Sequence, residues 1–216
     1  MPFIKVTPME CMQLQIEAIA PPGVLVGCRR IEMGDEHALL PEEAAIFARN
    51  AAKSRRASGA ARLVARDLLG QLGFPISPVL RAPSGAPIWP NGLVGSLAHD
   101  AMLAVGAIAR EGDLAGVGID VEDATSLSDD LVDLVATPAE CVAIGKDAFL
   151  AKLLFVAKEA VYKATCPIDG IFLEHHDIEV DLARGLAIVR GGRRVDLRFI
   201  ERPRIIAIAT ICNAQR

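Results

Sequence analysis

The chain has 216 residues, 52% of them hydrophobic, with 23 Lys and Arg against 27 Asp and Glu for a formal net charge of −4. That length and apolar content support one large domain or two closely packed halves of roughly 100 residues, and the mild acidity argues against a broad nucleic-acid-binding face. The five scattered cysteines, Cys11, Cys28, Cys141, Cys166 and Cys212, form no C-x-x-C pair, which argues against a zinc ribbon or a disulfide framework and suits a reducing cytoplasm.

The opening MPFIKVTPME lacks a basic region followed by an apolar run, so no signal peptide is expected. Val24–Cys28 reads as a first strand. The stretch 41–72 is rich in Ala, Leu and Arg and reads as helical, with Ser58-Gly59 the expected break between two helices and Gly73, Pro75 and Pro78 ending it. Residues 81–95, RAPSGAPIWPNGLVG, carry closely spaced Gly and Pro turn signals and predict a structured loop. Met102–Ala109 and Leu114–Val121 read as strands flanking a hairpin turn at 110–113. The apolar stretches 102–109 and 205–212 are too short to span a bilayer and read as buried strands.

Further on, 126–136 and 137–144 look helical, the second opening on Thr137-Pro138-Ala139-Glu140 with Pro at N1 and Glu140 at N3. The longest helix of the second half is expected over 148–165, ended by Pro167. Its apolar stripe is Leu153, Val156, Ala157, Ala160, Val161 and Ala164, and Glu159 and Lys163 share a different face. Residues 178–180, 186–189, 195–200 and 205–212 read as antiparallel strands joined by glycine-containing turns.

Two segments carry the chemistry. In GVGIDVE (116–122), an apolar run ends in Asp120-Val121-Glu122, and in a strand residues i and i+2 point to one side. Their backbones then stand about 6–7 Å apart, a spacing that suits one hard, oxygen-liking cation such as Mg²⁺. In FVAKEAVYKA (155–164), Glu159 is a third carboxylate, flanked by Lys158 and Lys163. Alone, D-x-E is a common strand end, and KEAVYK is a solvated helix face with a Glu159–Lys163 pair at i, i+4. Together they describe a site for a phosphate-bearing ligand.

Upstream, Arg55, Arg62 and Arg66 fall at i, i+7 and i+11, so one helix face can present three guanidiniums, whose fork matches phosphate oxygens; a solvated, salt-bridged face is the alternative. Arg81 opens the Gly/Pro loop and His99 closes GSLAH. His175-His176-Asp177 reads as a loop before a strand, because two adjacent histidines rarely ligate one metal. Trp89 reads as packing its loop onto the core.

In this order the pieces resemble the 4′-phosphopantetheinyl transferases, in particular the surfactin-type and enterobactin-type enzymes of about 200 residues. ARLVARDLLGQLG (61–73) is similar to the family's Arg-bearing helix, and RAPSGAPIWPNGLVGSLAH (81–99) to its loop ending in a Ser/Thr-His pair. GIDVE (118–122) is similar to G-[IV]-D-x-E, and FVAKEAVYK (155–163) to [WF]-x-x-K-E-[AS]-x-x-K. The resemblance implies an α/β (α+β) fold of two similar halves related by a pseudo-twofold, here 1–112 and 113–216, with coenzyme A between them. It implies transfer of the 4′-phosphopantetheine arm of coenzyme A to a serine of an acyl, aryl or peptidyl carrier protein, with release of 3′,5′-ADP. The carriers of fatty acid, polyketide, nonribosomal peptide and siderophore synthesis all fit that chemistry.

Residue by residue, the resemblance implies that Asp120 and Glu122 hold Mg²⁺, with Mn²⁺ an acceptable substitute. Glu159 completes the site as a ligand or acts as base. Lys158 and Lys163 contact phosphates, and Arg62, Arg81 and His99 hold the 3′-phosphate and adenosine part of coenzyme A. Arg55 is the candidate for a further upstream cation. Ala98 stands where the family usually has Ser or Thr, which implies weaker coenzyme A binding. A cytoplasmic monomer without membrane span or nucleic-acid partner is expected. The alternatives are a non-catalytic coenzyme A or carrier-binding module of the same fold, and an unrelated Mg²⁺-dependent phosphohydrolase.

Overall fold

A computed structural model describes residues 7–213. The opening residues, on which the expectation about a signal peptide partly rests, lie outside that range. Two antiparallel sheets carry the chain. The first has three strands in the order β1-β3-β2, with β1 at Leu25–Arg30, β2 at Leu93–His99 and β3 at Leu103–Arg110. The second has five, in the order β4-β8-β7-β6-β5: Leu114–Asp123, Arg204–Cys212, Arg193–Ile200, Leu186–Val189 and Ile178–Asp181. The fold is α+β.

Helix α1 (Pro8–Ile19), absent from the elements expected above, is opened by a capping box between Thr7 and Glu10, the same Thr-Pro-x-Glu pattern that opens the helix at Thr137. Helices α2 (Pro41–Phe47) and α3 (Ala52–Gln71) fill the first helical stretch. The break falls at 48–51, not at Ser58-Gly59, through which α3 runs unbroken. Gly59 has a packing purpose: a Cβ there would stand 1.9 Å from the Asp35 carbonyl oxygen, so only glycine lets the 3₁₀ turn Asp35–Ala38 lie against α3. After β4 come α4 (Asp129–Val135), α5 (Pro138–Ile144) and α6 (Ala148–Asp169). Helix α5 has the expected Thr137/Glu140 capping box. Pro167 lies inside the last turn of α6, and the helix stops at Gly170, whose φ of 68° gives the left-handed cap.

The alternation of β4 builds the interior. Val117, Ile119 and Val121 point into a core shared with Val26 and Val105 of the first sheet, Ile206 and Ile208 of β8 and Met12 and Ile16 of α1. The sheets therefore pack through common apolar faces, with α3 on the outer face of one and α6 on the outer face of the other. The predicted stripe of α6, Leu153 to Ala164, is buried against β5–β8. The hairpin expected at 110–113 does not form: β3 pairs with β1 and β2, whereas β4 pairs with β8, so the turn crosses from one sheet to the other. Residues 93–99, expected to be loop, are strand β2; the apolar Leu93, Leu97 and Ala98 find places in the cores on its two faces.

Candidate active site

Gly116, Gly118, Asp120 and Glu122 share the side of β4 that faces α6. A Cβ on Gly118 would stand 1.9 Å from the Ala160 carbonyl oxygen, so helix and strand approach at backbone distance just before the acidic pair. That approach sets the Lys163 ammonium 2.6 Å from Asp120 Oδ1. Asp120 is 7% exposed. Burial pushes its carboxyl up to about 6; Lys163 works against that, and Glu159 and Glu122 add to it by like-charge repulsion.

Each of the three predicted carboxylates has its own side-chain partner, a lysine for two of them and an imidazole for the third. Lys163 serves Asp120, Lys152 Nζ lies 2.8 Å from Glu122 Oε2, and His175 Nε2 lies 3.2 Å from Glu159 Oε1. The hydrogen bond from His175 holds the Glu159 carboxyl below the usual range against burial, with Lys163 assisting. Among the described residues no three His, Cys, Asp or Glu side chains converge as a ready-made metal cage. The donor type nevertheless suits Mg²⁺: all-oxygen groups, with the most buried one destabilised as an anion first by burial and then by its acidic neighbours.

The cations of the first half meet these carboxylates across a chain of three cavities. One of about 400 Å³ is bordered by Arg62, Arg81, His99 and Lys163, with Phe47 and Ser58 behind them. A second of about 210 Å³ shares Arg81 and Lys163 with it and adds Glu159 and Tyr162. The third, about 780 Å³, shares Glu159 and Tyr162 and continues past Glu122, Lys152 and His175 to apolar walls that include Leu131 and Phe172.

Arg62 is fixed before any ligand arrives. Its Nε donates to the Val79 carbonyl at 3.1 Å and its guanidinium lies 4.9 Å from the Phe47 ring centroid. Burial pulls its pKa down to about 10. Arg81 Nε donates to the Gly85 carbonyl within its own loop. The crowding of its surroundings, followed by the field of Lys163, holds the His99 imidazole below its ordinary value.

Three expectations need correction in detail. Lys158 borders the large cavity but is not free to serve a ligand there: it is fully buried, and its three N–H donors go to Glu140 Oε2 at 2.6 Å, Val135 O at 2.8 Å and His175 O at 2.9 Å. An ammonium with three acceptors has nothing left for a phosphate. Arg55 does not border the cleft; it donates to the Asn50 carbonyl at 2.8 Å. Of the three-arginine face only Arg62 reaches the cavity, because Arg66 is bonded to Glu43 and the Ala38 carbonyl. Ala98 borders the cleft but belongs to the core between the sheets.

Neither Lys152 nor Glu43 stands among the site residues expected from the sequence, Glu140 read only as a helix-capping residue, and His175 read only as part of a loop. Buried Glu43 accepts from Arg66, from Leu40 N and from Val79 N, and so ties the segment before Arg81 to α3. The signal for Lys152 was present, since it precedes Glu159 by seven residues and so lies on the same helical face. His175 stood out locally in His175-His176-Asp177, but nothing local pointed to Glu159 as its partner.

Fold and cleft together define a protein that sets Arg62, Arg81 and Lys163 along connected cavities that also reach the carboxylates Glu159 and Glu122. Sequence comparison makes this specific. The profile of the 4′-phosphopantetheinyl transferase N-terminal domain matches residues 42–109, and that of the 4′-phosphopantetheinyl transferase superfamily matches 116–206. The 4′-phosphopantetheinyl transferase Svp of Streptomyces mobaraensis is 38% identical over 174 residues, covering 73% of this chain and 71% of its own. Npt of Nocardia iowensis is 34% identical over 168 residues, 76% and 75% of the two chains. PptT of Mycobacterium tuberculosis is 38% identical over 145 residues, 65% and 64%. The chain belongs to the 4′-phosphopantetheinyl transferases, enzymes that move the 4′-phosphopantetheine arm of coenzyme A onto carrier proteins.

Proposed function

We propose that the cavity chain is the route of this transfer, with coenzyme A at the Arg62–Arg81–His99 end and the carrier serine arriving past Glu159. The observation that carries this reading is the double position of Lys163, which borders the cation-lined cavity and holds Asp120 at 2.6 Å. Arg62 and Arg81 bind the 3′-phosphate through charge-assisted hydrogen bonds, and His99 lies against the adenosine part. The first half, 1–112, supplies these groups, and the second, 113–216, supplies the carboxylates.

Asp120, Glu122 and Glu159 would hold Mg²⁺, which, when bound, supplies charge neutralisation on the pyrophosphate. Glu159, kept ionised by His175, accepts the serine hydroxyl proton. The serine oxygen attacks the phosphorus that carries the pantetheine arm, and the bond from that phosphorus to the bridging oxygen breaks. 3′,5′-ADP leaves with the bridging oxygen, its growing negative charge countered by Lys163. Lys158 acts from behind, holding the His175 backbone in place. The reading is of a monomer working in the cytoplasm; no helix among the described residues is long and apolar enough to cross a membrane.

The test is the intact mass of an apo carrier protein incubated with this protein, coenzyme A and Mg²⁺, with and without chelator. A gain of about 340 Da that the chelator abolishes is expected, the mass of one phosphopantetheine arm joined covalently to the acceptor. The same gain in the presence of chelator would remove the metal from the reading. No gain across acyl, aryl and peptidyl carriers, with coenzyme A binding intact, would mark a binding module.

A further inference from the structure

Lys163 pairs with Asp120, Lys152 with Glu122, and the His175 imidazole lies against Glu159; the first and the last of these partners have a place in the transfer. Lys163 borders the coenzyme A cavity, and His175 holds the Glu159 carboxylate. Lys152 has no such place. It borders the large cavity with Glu122, Phe155 and Glu159, and its side chain is only 11% exposed. Its ammonium is 2.8 Å from Glu122 Oε2 and 5.4 Å from the centre of the Phe155 ring. Glu122 is the most exposed of the paired acids on β4, with 33% of its side chain open.

We propose that Lys152 is a resident counter-cation of the metal site, occupying at Glu122 the place that a divalent ion takes, so that the ion loads by exchange and Lys152 sets the metal concentration the enzyme needs. The inference rests on the reading that Glu122 is a metal ligand. An ammonium is a compact point charge on a flexible four-carbon stem, so it can release a carboxylate without moving the helix that carries it. The attraction between Lys152 and Glu122 must be given up before Glu122 turns to the ion. Once displaced, the tethered charge still lies near a dication and repels it across a partly desolvated gap. Both effects weaken metal binding. The ring of Phe155 gives the displaced ammonium a second favourable neighbour, which keeps it close by. Lys152 is thus a tuning residue for the ion and takes no part in bond making.

The test is Mn²⁺ binding to the purified full chain in saturating coenzyme A, read as loss of the free-ion electron paramagnetic resonance signal. The variants are K152M, which keeps the stem over Phe155, K152Q, which keeps a polar end, and K152R, which keeps the charge. K152M and K152Q are expected to bind Mn²⁺ at least fivefold more tightly than wild type, with K152R near wild type. Coenzyme A affinity without metal, measured on the same samples, shows that each variant is folded. Folded neutral variants that bind Mn²⁺ no better than wild type, or worse, would overturn the proposal and make Lys152 a support that holds Glu122 in position. The metal reading has its own control, Glu122→Gln in the wild-type background. If that variant binds Mn²⁺ as wild type does, Glu122 is not a ligand and the underlying reading fails along with the inference.

Discussion

The Lys158 ammonium and the Glu140 carboxylate stand 2.6 Å apart in the interior and join the start of α5 to the middle of α6. The same ammonium takes the Val135 and His175 carbonyls, so a single nitrogen gathers α4, α6 and the turn that carries His175. Glu140 meanwhile accepts from Thr137 N and Val180 N. Burial draws the Lys158 ammonium down from its usual range and Glu140 draws it back, as befits a pair kept charged by mutual attraction.

Removing one member of such a pair leaves the other buried and uncompensated. Lys158→Met is expected to lower unfolding stability by about 3–5 kcal/mol, measured by urea denaturation. Coenzyme A affinity should change little, because the three donors of Lys158 are all taken by protein acceptors. A large loss of coenzyme A affinity with unchanged stability would return this lysine to the phosphates.

Gly118→Ala tests the contact between β4 and α6. The added methyl would fall 1.9 Å from the Ala160 carbonyl oxygen, and neither backbone can give way cheaply. A loss of about 3 kcal/mol is expected from overpacking. Turnover should fall further than stability alone explains, because Asp120 follows the clash by two residues on β4 and Lys163 by one turn on α6. Thermal unfolding and carrier-loading rate on the same preparation check both parts.

Arg81→Ala should weaken coenzyme A binding about 10- to 150-fold, from the loss of one charge-assisted contact worth about 1.5–3 kcal/mol. With coenzyme A lacking its 3′-phosphate the penalty should shrink to near zero. Calorimetric titration of both ligands into both proteins closes the cycle. An equal penalty on both ligands would assign Arg81 to another part of the molecule.

Asp120→Asn keeps the shape and removes the charge that Lys163 faces. Carrier loading is expected to fall by about 10²-fold or more, the usual cost of losing one group of a preorganised electrostatic site. The mass-shift assay under single-turnover conditions measures it.

His99 gives a pH dependence whose direction is fixed. Its folded-state pKa lies below the ordinary value of 6.5, first through desolvation and then through Lys163, with Arg62 acting the same way and Asp100 opposing. On acidification the unfolded chain then takes up a proton near the ordinary value that the folded chain still refuses, so stability rises with pH through this window and is lost as pH falls below 6.5. His99→Gln should flatten the wild-type decline in stability between neutral and mildly acidic pH, followed by denaturant unfolding at a series of pH values. An unchanged slope would assign that decline to other groups.

The sequence by itself determined the elements whose apolar periodicity is strong and the residues whose spacing is chemical. The stripe of α6, the capping box of α5, the strands of the second sheet and the i, i+2 pair Asp120/Glu122 follow from local rules of helix and strand geometry. What tertiary structure alone decided is which polar group meets which. Strand β3 reads as half of a hairpin until β1 and β2 compete for its edges, and Lys158 reads as a phosphate ligand until α4, α5 and the His175 turn close over it. His175 reaches Glu159 from 16 positions away, Lys152 reaches Glu122 from 30, and Lys163 reaches Asp120 from 43. Polar contacts of that separation leave no periodic trace in a chain, because their partners are chosen by which faces the buried apolar side chains bring together.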